Sequence, residues 1–238
     1  MRIGVVLPRS GDWPAVRNLA CLAEETGADS LWIPDGFSDG DLEAWTVMSA
    51  IAANTERIEV GSYMLNASLR DPVLLAKMVE TIDQLAPHRI RIILGTGWDR
   101  TDYEALGSEF PPPEARMRRT RETVSMLKGR TPASVEVAGV RDEVLTIVAS
   151  EADGWAVSSS ALDAFFERVE FLRRACENVG RVFADLRISC ALGVDTAAER
   201  AGDLAEHGMR EICVVLPEGT PDLRDFERMV CDLKAQRV

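Results

Sequence analysis

Eight short, nearly unbroken apolar runs recur along the chain: Ile3–Leu7, Ser30–Ile33, Ile58–Leu65, Ile90–Leu94, Val135–Ala138, Gly154–Val157, Ile188–Val194 and Ile212–Leu216. Continuous rather than alternating apolarity marks strands covered on both faces, as in a parallel sheet. Between the runs, apolar residues return at helical spacing. Val16, Leu19, Ala20 and Ala23 share one face, and so do Leu162, Phe165, Phe166, Val169 and Leu172. A third helix opens at Asp71-Pro72, an N-cap followed by proline at the first helical position, and turns Leu75, Met78, Val79, Ile82 and Leu85 inward. An arginine-rich helix lies near Arg116–Lys128. Two helix-to-strand joints repeat the same device: Gly27 and Gly208 each stand four residues before an apolar run, where a left-handed glycine ends a helix.

Eight strands alternating with helices predict a (β/α)8 TIM barrel occupying residues 1–238 as one domain. The competing architecture is a doubly wound open sheet, which usually carries a glycine-rich dinucleotide loop after its first strand. Here that strand ends in Pro8-Arg9-Ser10-Gly11, without G-x-G-x-x-G. Pro111-Pro112-Pro113 is the only proline cluster and reads as a semi-rigid crossing rather than a domain boundary.

Composition narrows the class. With 46% hydrophobic and 28% charged residues the usage is globular, which excludes disordered and fibrous chains. The net charge of −12 argues against a nucleic-acid or anionic-membrane partner. No apolar run approaches the ~18 residues of a membrane span. The Ile3–Leu7 run is too short for a secretory signal, so the expected location is cytoplasmic. Cys21, Cys176, Cys190, Cys213 and Cys231 are widely spread and form no C-x-x-C. With only His88 and His207 to help, no metal site is expected, and the cysteines read as free thiols in a reducing compartment.

A barrel keeps its chemistry at the carboxyl ends of its strands. That rule selects Arg9, Ser10 and Asp12 after the first strand, Asp35, Gly36 and Phe37 after the second, and Asn66 and Ser68 after the third. The fourth supplies Gly95-Thr96-Gly97-Trp98 with Asp99, Arg100 and Tyr103. Gly139-Val140, Ser158-Ser159-Ser160, Asp195-Thr196 and Glu218-Gly219-Thr220 follow the last four. Gly95-x-Gly97-Trp98 lets backbone approach a ligand beside a flat aromatic wall, although a tight turn with a packed tryptophan would read the same way. Gly139 and the three serines could surround a phosphate, although a capped helix start is the alternative. Both histidines fall at the opposite end, so neither is expected as a general base. Lys77, Lys128 and Lys234 all sit in helical segments, which disfavours an aldolase or isomerase built on a strand-end lysine. A site this poor in catalytic side chains suits a bound cofactor that carries the difficult chemistry.

Five collinear segments resemble the bacterial luciferase-like flavin and deazaflavin oxidoreductases: Gly27–Asp35 (GADSLWIPD), Ala52–Gly61 (beginning AANTERI), Leu69–Met78 (LRDPVLLAKM), Leu94–Trp98 (LGTGW) and Ala152–Trp155 (ADGW). Each is weak alone, and their order makes the match specific. The resemblance implies FMN or coenzyme F420 as cofactor, a small organic substrate and a homodimer. It places Asp35 and Asn66 beside the ring, with Gly97 and Trp98 lining the substrate side. It also places a non-proline cis peptide around Ser62-Tyr63, and a phosphate at Gly139, Val140, Ser158 and Ser159. Asp35, Trp98, Tyr103 and Glu104 are the catalytic candidates.

The chain also departs from the family pattern. Gly36 stands where many relatives have histidine, Ser38-Asp39-Gly40 replaces a frequent aromatic, and Ala138-Gly139 replaces a double glycine. Lys128-Gly129 runs almost directly into Val135, without the long insertion that covers the site in relatives. The expectation is therefore a flavin- or deazaflavin-dependent oxidoreductase or monooxygenase with an open pocket. The alternative is a degenerate flavin-binding barrel with a regulatory or assembly role.

Overall fold

The computed structural model describes residues 1–9, 11–37, 40–217 and 223–235. All eight expected strands are present: β1 (Arg2–Val6), β2 (Ser30–Ile33), β3 (Glu59–Asn66), β4 (Ile90–Gly95), β5 (Ser134–Ala138), β6 (Gly154–Val157), β7 (Arg187–Leu192) and β8 (Glu211–Val215). Each pairs in parallel with its successor, and β8 returns to β1, so the sheet closes. Around it run α1 (Trp13–Glu25), α2 (Ala44–Asn54), α3 (Pro72–Leu85), α4 (Arg100–Ala105), α5 (Pro113–Arg130), α6 (Asp142–Ser150), α7 (Phe165–Asn178), α8 (Val194–Glu206) and α9 (Leu223–Ala235). The protein is a (β/α)8 barrel, as the apolar pattern predicts.

Local chemistry sets the joints. Asp71 caps α3 by accepting the Val73 and Leu74 N–H groups, and Pro72 opens the helix. Gly27 and Gly208 take φ of 77° and 105°, the left-handed turns expected before β2 and β8. Val16, Leu19, Ala20 and Ala23 are buried on α1. Three expectations need correction. Leu85 is exposed, because α3 stops there and Ala86 takes the inward place, while Met78 packs half-buried against the core beside Leu75, Val79 and Ile82. Leu162 lies in a 3-10 turn before α7, and Phe166 is half-buried at the edge of the face that buries Phe165, Val169 and Leu172. The run Ile188–Val194 breaks at Gly193, which caps α8, so Asp195 belongs to the first turn of that helix. Only residues 131–133 separate α5 from β5.

Inside the barrel, Val6, Trp32, Ile93, Ala138, Ala156 and Ala191 form an apolar layer with Tyr63 and Met64. Small residues make room for one large ring: a Cβ on Gly61 would lie 2.6 Å from the Trp32 indole. Beneath it Arg91 binds Glu136 at 2.6 Å and Glu211 at 2.5 Å, with its guanidinium 4.6 Å from the Trp32 ring centre. This charged plug fills the amino end of the barrel, leaving the carboxyl end for ligands. His88 precedes β4 and His207 ends α8, both at the amino end.

Candidate active site

The carboxyl ends of β2, β3 and β4 meet around a cavity of about 180 Å3. Asp35, Asn66, Gly97 and Trp98 all border it, so the structure brings together four residues chosen from sequence. Arg9, Tyr63, Asp99 and Asp102 complete its polar wall. The volume is below the ~300 Å3 of a pocket that encloses a drug-sized ligand. It can seat part of a ring system, with the remainder over the open barrel mouth.

Asp35 is buried at 2% side-chain exposure and is not free. Its two oxygens accept from both terminal nitrogens of Arg70, at 2.6 and 2.8 Å, and Oδ2 also accepts the Asn66 N–H at 3.2 Å. Arg70 reaches further, to Glu43 at 3.2 Å, and Glu43 caps α2 through the Trp45 and Thr46 N–H groups. Burial opposes the charge on Arg70, but the Asp35 and Glu43 carboxylates outweigh it and raise its pKa. The pair is therefore a charged clamp that fixes the β2 loop against the end of β3. Sequence reasoning missed Arg70; its place in the loop between β3 and α3 was the available signal.

Asn66 is 6% exposed. Its Oδ1 accepts from the Ser68 N–H at 3.0 Å and the Tyr103 hydroxyl at 3.3 Å, while its Nδ2 is buried without a partner. Such an orphaned donor costs about 1–3 kcal/mol unless something accepts from it. Gly97 has φ of 71°, and a Cβ there would lie 2.3 Å from both Asn66 Oδ1 and Tyr103 Oη. Arg116 donates to the Gly97 carbonyl, tying α5 to this turn. Trp98 is 76% exposed, so the packed-tryptophan alternative does not hold.

The remaining catalytic candidates divide. Tyr103 is 1% exposed and its hydroxyl is engaged with Asn66 and the Gly97 carbonyl, so it supports the cavity from behind. Glu104 is exposed on α4 and does not border the cavity. Asp102, not chosen from sequence, does border it. It lies one helical turn after Asp99, with its carboxylate accepting the Phe37 N–H.

Of the two β3 residues, Tyr63 reaches across the barrel, donating to the Val157 carbonyl at 3.0 Å and accepting the Ala191 N–H at 3.1 Å. Its face borders the cavity, but its hydroxyl joins β6 to β7, and burial holds its pKa well above the usual phenol value. Ser62 points the other way. Gly61 faces the interior Trp32, so strand alternation turns Ser62 toward the helix layer, away from the cavity. The cis peptide lies at Tyr63–Met64, one residue beyond the expected place, where the β3–β4 register shifts between Ser62 and Leu65.

The expected phosphate residues lie on neighbouring strand ends, since β5 pairs with β6. Gly139 has φ of 133° and its carbonyl accepts from Trp155 Nε1 at 2.7 Å. Arg168, overlooked in the sequence, donates to the Val140 carbonyl at 3.4 Å and pairs with Asp142 at 2.6 Å. Neither Arg141 nor Ser158 caps the helix it precedes, and Ser158 Oγ instead meets Ser160 Oγ at 3.0 Å. Ser159 is exposed. Arg141 thus makes no side-chain cap for α6, while the Glu143 carboxylate accepts its own N–H in the first turn. Ser10, Ser38, Asp39 and Glu218-Gly219-Thr220 lie outside the described residues. Among the described residues no group of three His, Cys, Asp or Glu side chains could hold a metal ion. A larger groove of about 460 Å3 lies between α5 and α6, lined by none of the residues that border the Asp35–Asn66 cavity.

Comparison with known proteins agrees with this geometry. A profile described as luciferase-like monooxygenase matches residues 1–229. An F420-dependent glucose-6-phosphate dehydrogenase of Kineococcus radiotolerans is 36% identical over 118 residues, covering 47% of this chain and 35% of that protein. An FMNH2-dependent dimethylsulfone monooxygenase of Pseudomonas putida is 31% identical, over 48% of this chain and 32% of that one. The chain thus spans about a third of the length of these curated relatives. Among solved structures, an F420-dependent secondary alcohol dehydrogenase in complex with an F420-acetone adduct superposes with a TM-score of 0.83 at 13% identity, covering 98% and 97% of the two chains. The coenzyme F420 dependent tetrahydromethanopterin reductase of Methanopyrus kandleri gives 0.79 at 15% identity, covering 100% and 98%; both likenesses are of fold. The chain belongs to the luciferase-like monooxygenase family.

Proposed function

We propose that this protein is an oxidoreductase that uses coenzyme F420 or FMN against a small organic substrate. The observation that carries the reading is the cavity at the ends of β2–β4, bordered by the exposed Trp98 and the clamped Asp35. A planar heterocycle answers the exposed indole face at that cavity. The names of the relatives, which include both F420- and FMN-dependent enzymes, support the same cofactor classes. Such a group, when bound, supplies hydride transfer or oxygen activation. This chain's own residues would hold and orient it. Asn66 and the Arg70-clamped Asp35 fix that wall, and Trp98 covers the substrate side. The backbone at Gly139-Val140, with Ser158 and Ser159 on the adjacent strand end, would receive the phosphate.

Two finer features accompany the reading. Val73, Leu74 and Leu85 leave apolar surface on α3 exposed, which supports a homodimer. Cys21, Cys176, Cys190, Cys213 and Cys231 are all free, which supports a reducing, cytoplasmic setting.

Absorbance and fluorescence titration with FMN and with F420 tests the function. At least one is expected to bind with Kd well below millimolar. Binding of neither below about 1 mM, a free energy near −4 kcal/mol, would overturn it.

A further inference from the structure

Helix α5 carries six arginine or lysine residues and only two glutamates, in a chain whose net charge is −12. Five of the six cations are committed. Arg116 donates to the Gly97 carbonyl, and Arg119 pairs with Glu122 at 3.6 Å. Arg121 pairs with Glu151 at 2.9 Å, Lys128 with Asp153 at 2.6 Å and Arg130 with Glu80 at 2.9 Å. Among the described residues, Arg118 alone of the six has no bonding partner. It borders the groove of about 460 Å3 between α5 and α6, a volume within the roughly 300–1,000 Å3 of ligand pockets. The groove joins apolar and basic lining. Pro113, Met117 and Ile147 supply the apolar part, with Ile147 buried and Met117 half-buried. Its charged lining is Arg118, Arg121 and Arg141 against Glu114 and Glu143, an excess of one positive charge. Glu143 is engaged by Arg141 through two contacts of 3.3 Å. Glu114 stands in the first turn of α5, where a carboxylate answers the partial positive charge of a helix start. The unmatched group is Arg118.

We propose that the α5–α6 groove is a second binding site, for a small organic acid with an apolar body. Its carboxylate meets Arg118, and its apolar body covers Met117 and Ile147. A guanidinium gives a planar carboxylate two parallel hydrogen bonds, and a monoanion balances the surplus charge of the lining. The groove shares no lining residue with the cavity at the strand ends. The inference therefore stands apart from the oxidoreductase reading, and neither depends on the other.

Methyl NMR of the full chain, labelled at its methionine methyl carbons, tests the site, with Met117 assigned through Met117→Leu. The probes are 4-phenylbutyrate and its uncharged twin 4-phenylbutanol. The acid is expected to shift the Met117 methyl saturably, with Kd of about 1 mM or tighter, and the alcohol to bind at least ~5-fold more weakly. Arg118→Gln removes no bond of the folded protein, and an unchanged melting temperature verifies its fold. It is expected to weaken the acid at least ~3-fold and to leave the alcohol unchanged. Neither FMN nor F420 is expected to displace the acid. No saturation at Met117 by about 10 mM overturns the proposal. So do equal affinities for acid and alcohol, or acid binding unaffected by Arg118→Gln. Displacement of the acid by FMN or F420 overturns it too, since the groove would then belong to the cofactor.

Discussion

Arg70 grips Asp35 through both of its terminal nitrogens, at 2.6 and 2.8 Å, and this bidentate pair joins the end of β2 to the end of β3 beneath the cavity. With Asp35 at 2% exposure, removing the cation leaves a buried, unpaired carboxylate. Arg70→Leu is therefore expected to lower stability by about 3 kcal/mol in urea unfolding. Adding Asp35→Asn should recover part of that loss. Wild-type stability in Arg70→Leu would show that the pair does not hold this wall.

The turn at Gly97 carries two separable costs. Its φ of 71° disfavours any side chain, and a Cβ would in addition strike Asn66 and Tyr103 at 2.3 Å. Gly107 has a similar φ of 64° with nothing near its Cβ position. Gly107→Ala thus reports the backbone cost alone, about 1–2 kcal/mol. Gly97→Ala should cost more than that, and should weaken cofactor binding at least ~10-fold, whereas Gly107→Ala should leave binding unchanged. Equal stability losses would mean that the cavity wall yields freely.

The plug at the amino end predicts a pH dependence of stability. Glu136 is fully buried, and burial pushes its carboxyl up; Arg91 pulls it down and Glu211 pushes it up again. A carboxyl raised in the folded state binds more protons there than in the unfolded chain. Its contribution is present below the ordinary glutamate value near 4.3 and is lost as pH rises through the folded value. Glu136→Gln should flatten that part of the stability profile, measured as melting temperature against pH. An unchanged slope would place the proton elsewhere.

At the carboxyl end of β5, next to β4 in the barrel, Gly139→Asp would put a carboxylate beside the expected phosphate. The position has φ of 133° and only 3.2 Å between a Cβ and Val144 Cγ2, so some structural cost is unavoidable. Gly139→Asn carries the same strain without the charge. The aspartate variant should bind cofactor more weakly than the asparagine variant, with a gap that narrows as salt rises. Equal affinities would move the phosphate away from Gly139 and Val140.

The barrel was legible in the sequence because burial on both faces makes each parallel strand a continuous apolar run, and Gly27, Gly208 and Asp71-Pro72 mark where helices end or begin. The departures fall where periodicity stops carrying information. Leu85 is apolar and in phase, yet its helix ends there; Val194 extends an apolar run, yet Gly193 bends the chain away. Within the site, strand-end position alone located Asp35, Asn66, Gly97 and Trp98. Contacts across the chain were not legible. Arg70 reaches Asp35 over 35 positions, and Arg168 reaches Val140 over 28, with no local pattern announcing either. Ser62 and Tyr63 show the finer limit: one step along β3 turns a side chain from the helix layer to the barrel interior, and the cis bond beside them is not encoded in the apolar pattern.

The central claim is that a ring cofactor lies in the β2–β4 cavity against Trp98. The most direct measurement is tryptophan emission during titration with FMN or F420, in the wild type and in Trp98→Phe. Trp98 is exposed at the cavity while Trp32 and Trp155 are buried elsewhere in the barrel. The account predicts that saturating cofactor removes an emission component present in the wild type and missing from Trp98→Phe. Quenching of equal amplitude in both proteins would contradict it.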